Sequence, residues 1–156
     1  MVVNPKTETL YDSDYYLWLE KTVHLLREER WQELDILNLV EELEDMGRSQ
    51  KQALQSNLII LLLHLLKCKY QPQKRTASWL SSIAEHRDRI DIALADSPSL
   101  RSSIQEVFDK CYAKARKRAA IETELPLEIF PEQSPFIPEQ TLDFDYLPET
   151  EERTAG

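Results

Sequence analysis

Apolar residues recur at helical spacing along most of the chain. Over about Ser13–Glu28, Tyr15, Trp18, Leu19 and Leu26 share one face. Asp12 is placed to cap that helix, with Tyr11 and Tyr16 as a hydrophobic staple. A second helix is predicted over about Gln32–Met46. Ile36, Leu37, Val40, Leu43 and Met46 form its apolar stripe, and Asn38, Glu41, Glu42 and Asp45 form the other side. Gly47 follows where a left-handed residue would end the helix. A third helix is predicted over Arg48–Tyr70. Its middle, Leu58–Leu66, is apolar all round except at His64, as expected of a central buried helix. Gln55, Ser56 and Asn57 just upstream make the apolar run too short for a membrane span. Pro72 prevents continuation. A fourth helix, about Ala77–Ala95, carries Trp79, Ile83, Ile90 and Leu94 on its stripe. Ser97 and Pro98 then read as the cap and first residue of a fifth, which reaches about Ala120 and buries Leu100, Ile104, Val107, Phe108, Cys111 and Ala115.

Beyond position 120 the pattern changes. Five of the eight prolines fall there, together with Phe130, Phe136, Phe144 and Tyr146. So many aromatics suit a segment laid across the helices rather than a disordered tail. The expected organisation is one all-α domain over 1–148, a compact bundle of about five helices (body 12–120) wrapped by an acidic, Pro-rich segment, with 149–156 frayed. Only two glycines occur, Gly47 and Gly156, too few for the turns of a sandwich, barrel or nucleotide-binding α/β fold.

Charge divides the chain into three. The net charge is −9, but residues 1–46 hold 4 Lys/Arg against 12 Asp/Glu, residues 47–120 hold 14 against 6, and the remainder 1 against 10. The favoured reading is internal neutralisation of the acidic ends by the basic middle. With a sequence pI near 4.9, nucleic acid is not the expected partner. The N-terminal MVVNPKTETLYDSDYY lacks the basic and apolar regions of a leader, and two cysteines cannot build a disulfide framework. A cytoplasmic protein without a membrane segment is expected.

Chemistry could reside in two places. Asp35, Asn38, Glu41, Glu42 and Glu44 crowd the second predicted helix, and like charges at such spacing call for a compensating cation. His64 is the one polar residue in its run, and burying an imidazole requires partners for its ring nitrogens. Lys67 and Gln71 share its face. The expected cluster joins Asn38, Glu41 or Glu42 to His64 and to Arg75 or Arg87, as a structural brace. In the connection 67–79, KCKYQPQKRTASW, basic residues surround Tyr70 and Trp79, and Ser78 stands beside the indole. That mixture most often anchors a helix–helix turn. His24, His64 and His86 show no metal-binding spacing, and no cofactor is expected. If a metal were held, Glu41 and His64 would be the ligands to examine. Phosphate-loop, nucleophile-elbow and zinc-protease motifs are absent from the sequence.

The strings YDSDYYLWLEKTVHLLR, LDILNLVEELEDMGRS, LLLHLLKCKYQP with KRTASW, SPSL and YAKARKRAA together resemble the bacterial family known as domain of unknown function 29. The likeness runs from about Tyr11 to about Leu142. It implies a compact helical fold in a bacterial cytoplasm and no particular reaction. Its pattern does not require His24 or His86, which leaves His64 as the histidine of interest. The leading expectation is a non-enzymatic interaction or regulatory module that binds another protein or itself. One alternative is a metal-assisted hydrolase using Glu41, Glu42 and His64. The other is a nucleic-acid or toxin–antitoxin-type regulator using Lys67–Arg75 and Lys110–Arg118.

Overall fold

The computed structural model describes residues 8–149, and the tail expected to fray lies outside them except for Glu149. The described residues form an all-α fold with no strand. Six helices are present: α1 (Leu10–Ser13), α2 (Tyr15–Arg27), α3 (Ile36–Tyr70), α4 (Ala77–Asp96), α5 (Arg101–Thr123) and α6 (Pro138–Leu142). Contacts divide the chain into two compact units, 1–48 and 49–156, and α3 runs through the boundary.

The most consequential departure from expectation is at Gly47. The second and third predicted helices are one 35-residue helix, α3. Gly47 has no positive φ and sits inside the helix, with open space where a Cβ would project. A helix-interior glycine costs about 1 kcal/mol relative to alanine, which 35 residues of continuous hydrogen bonding tolerate.

The start of α2 also differs. Thr9 caps α1 in a capping box with Asp12, and Asp14 caps α2 by accepting the Leu17 N–H at 3.0 Å. Asp12 is therefore not the cap of the long helix. Ser97 makes no side-chain cap either, and the chain enters α5 through a 3-10 turn at Pro98–Leu100.

In the unit 49–156, the second half of α3 is the core. Leu58, Leu61, Leu62, Leu65, Leu66 and Cys68 are fully buried, joined by Ile83 and Ile90 of α4 and by Ile104, Phe108 and Tyr112 of α5. Phe130 and Phe136 from the C-terminal segment complete it. Donors on the helices tie that segment down through its carbonyls. The Tyr112 hydroxyl donates to Pro131 at 2.6 Å, and Arg116 Nε donates to Phe130 at 2.8 Å. Arg87, buried on α4, donates to Thr141 at 2.9 Å and Tyr146 at 2.8 Å. No described helix is long and apolar enough to cross a membrane.

Candidate functional site

The acidic residues of the first unit find local partners. Asn38 donates from its side-chain amide to Asp35 at 2.7 Å and to the Thr9 hydroxyl at 3.4 Å. Glu42 accepts the hydroxyls of Tyr11, at 3.1 Å, and Tyr15. That bond to the carboxylate is the main reason the Tyr15 phenol is pushed up to about 12. Tyr11 meets Trp18 edge to face with ring centroids 4.8 Å apart, and Tyr15 stacks on the same indole. Glu44 and Asp45 pair with Arg48 of the next helical turn, and Glu41 is exposed.

The polarity of this unit is inverted relative to an ordinary amphipathic hairpin. Glu42 points toward Tyr11 of α1 and Tyr15 of α2, and Asn38 toward Thr9, which caps α1. The apolar stripe of α3 is open: Leu37 is 86 % exposed, Leu43 59 % and Met46 57 %. On α2, Trp18, Thr22 and Leu25 are the buried residues, whereas Tyr15 and Leu26 of the expected stripe are exposed.

His64 has other partners than those expected. Glu42 is engaged by Tyr11 and Tyr15 of its own unit, and the hydrogen bonds of His64 are made within the other. His64 Nδ1 lies 2.9 Å from the Ile60 carbonyl oxygen, and His86 Nδ1 lies 2.7 Å from that of Ser82. The Ser82 hydroxyl sits between them, 3.5 Å from His64 Nδ1 and 3.4 Å from His86 Nδ1. One turn along α3, Lys67 pairs with Glu122 of α5 at 3.1 Å, and its ammonium lies 4.5 Å over the Trp79 ring. Gln71 donates to the Thr123 carbonyl at 3.3 Å, and Arg75 donates to that of Cys68 at 3.4 Å. Ser78 is exposed and bonds Thr76. His64, Lys67 and Trp79 are thus brought together, while Arg87 serves the C-terminal segment. His24 is on the exposed side of α2, paired with Glu28.

The chemistry of the His64 cluster is restricted by those carbonyls. A carbonyl oxygen only accepts, so each Nδ1 carries the proton and cannot take one from Ser82. The serine is not activated as a nucleophile. Burial pushes the His64 imidazole below its usual 6.5, with Lys67 and His86 acting in the same direction. Among the described residues, no three His, Cys, Asp or Glu side chains are grouped to hold a metal ion. These contacts link α3 to α4 and α5 and offer no support to the hydrolase alternative. Ser82 and Glu122 were missed by the sequence reading, which also set His86 aside. The i, i+4 spacing of Ser82 and His86 marks them as neighbours, but nothing in sequence aligns that pair with His64.

The features that define the molecule are therefore a polar cluster around His64 in one unit and an apolar-out hairpin in the other, on an all-α scaffold. The family model described as domain of unknown function DUF29 matches residues 10–147, and the chain belongs to that family. No curated protein and no solved structure matches it.

Proposed function

We propose that the chain is a non-enzymatic protein-interaction module and that the helical hairpin of its first unit is the docking element. The inverted polarity of α3 carries this reading. Large apolar side chains exposed in a row have a hydrophobic cost that association removes. Ile36, Val40 and Leu43, with Leu37 at their edge, make such a row while polar neighbours occupy the inner side. Among the described residues, the first unit buries only Trp18, Thr22 and Leu25. So small a core is marginal without outside support. The reading includes a reducing, cytoplasmic location, supported by two buried thiols, Cys68 and Cys111, that remain unpaired.

A photo-crosslinking benzophenone amino acid in place of Leu37 tests the reading in cells. The control position is Ser102, which is exposed on α5. Intermolecular adducts at position 37, well above those at 102, are expected. Equal or absent adducts at the two positions would remove the docking role.

A further inference from the structure

Two outward stripes in the first unit share one spacing. On α3 the residues are Ile36, Val40 and Leu43, with Leu37 beside them, and on α2 they are Tyr16, Val23 and Leu26, with the half-buried Leu19 between. Both follow the alternating three- and four-residue steps of a heptad, the period at which helices pack knobs into holes. The inner residues of α2, Trp18, Thr22 and Leu25, belong to a separate stripe. Each helix of the hairpin thus has one side committed to its own unit and another free for a second layer.

We infer that a second copy of this chain supplies that layer, the two hairpins packing isologously as a four-helix bundle. This rests on the docking role of the hairpin. Area favours the assignment. The exposed parts of these two faces amount to on the order of 800 Å² per copy, the usual share of one partner in a stable interface. Symmetry favours it too. A two-helix unit with an open apolar side becomes a complete bundle when duplicated about a two-fold axis, and such self-complementary pairing is the commonest route to oligomers. A shallow groove on α2, lined by Leu19, Val23, His24 and Arg27, gives the protruding Leu37 of the other copy a place to seat.

Charge supplies a signature. Residues 1–46 hold 12 Asp/Glu against 4 Lys/Arg, so two hairpins brought together repel. Screening by salt relieves that repulsion. The self-association therefore tightens as salt rises, whereas docking of a cationic partner on the same face would weaken.

Sedimentation equilibrium of the full chain, in low and high salt, tests the inference. The expected result is a species of twice 18.3 kDa, tightened by salt and weakened by about tenfold or more in Leu37→Glu. Leu37 is 86 % exposed, so its replacement leaves the fold of the free chain intact, as circular dichroism verifies. Leu43→Glu is the second variant and should act in the same direction. A dimer indifferent to both substitutions, or one loosened by salt, would overturn the inference. So would a wild-type monomer at about 100 μM, a concentration above the dissociation constants of specific interfaces. The position-37 crosslink then separates the two claims. An adduct with a different protein leaves the docking role standing and removes the second copy, and no adduct removes both.

Discussion

Glu42 turns its carboxylate toward the aromatic residues of its own unit and accepts the Tyr11 hydroxyl at 3.1 Å. The consequence is geometric. Once positions 38 and 42 of α3 point inward, positions 36, 40 and 43 are rotated outward by the 3.6-residue period. The polar contact and the exposed apolar stripe are two results of one helix orientation.

That orientation can be read from a titration. Glu42→Gln removes the carboxylate whose hydrogen bond with the Tyr15 hydroxyl holds that phenol up at about 12. The Tyr15 transition is expected to move down toward its ordinary 10.0. Spectrophotometric titration of tyrosinate, with Tyr15→Phe to assign the signal, checks it. An unmoved Tyr15 would mean that Glu42 points elsewhere.

Gly47 reports on the continuity of α3. In mid-helix, with nothing within 4 Å of an added Cβ, Gly47→Ala should stabilise the chain by about 0.5–1 kcal/mol, as reduced backbone freedom in the unfolded state predicts. A left-handed helix end at this position would make the same change destabilising. Chemical denaturation distinguishes the two signs.

The same glycine shows where sequence reading stopped. Glycine ends helices because it tolerates positive φ, but whether φ becomes positive depends on what the following residues pack against. Leu58–Leu66 was legible as a buried core run because no other side of that helix was available to be polar. Pro72 and Pro98 were legible as breaks because proline lacks the N–H that a helix interior requires. The stripe Ile36–Leu43 was legible as a stripe, but periodicity gives its spacing and not the direction it faces. For His64, sequence identified a buried imidazole in need of partners. Ile60 and Ser82 supplied them, and the acid expected as partner, Glu42, accepts the hydroxyls of Tyr11 and Tyr15 in its own unit.

His64 makes stability depend on pH. Its imidazole is held below 6.5 in the folded chain, so the unfolded state takes up the proton first as pH falls. The stability present in neutral solution is therefore lost progressively as pH drops below 6.5. Of its titratable neighbours, Lys67 and His86 lower its affinity for the proton and Glu122 raises it. His64→Gln should flatten this part of the profile. Melting temperatures measured from neutral to mildly acidic buffer provide the check, and parallel profiles for the two proteins would assign the loss to another group.

Arg87 holds the C-terminal segment. Its guanidinium is buried and donates to three carbonyls, those of Gln140, Thr141 and Tyr146, and Thr141 is itself fully buried. Arg87→Met keeps the aliphatic bulk and leaves those acceptors unpaired, a loss of about 3 kcal/mol for hydrogen bonds to a buried charged donor. Limited proteolysis should then cut within 131–149 sooner than in the wild type. Unchanged stability and cleavage would show that the segment is held by Phe130, Phe136 and the bonds from Tyr112 and Arg116 without Arg87.

The docking hairpin is tested most directly by amide hydrogen exchange of the full-length chain at several protein concentrations. If a second copy completes the hairpin, protection over residues 15–46 rises with concentration, while that over 58–66, in the core of the other unit, stays constant. Exchange over 15–46 that is equally slow, or equally fast, at every concentration would contradict the account.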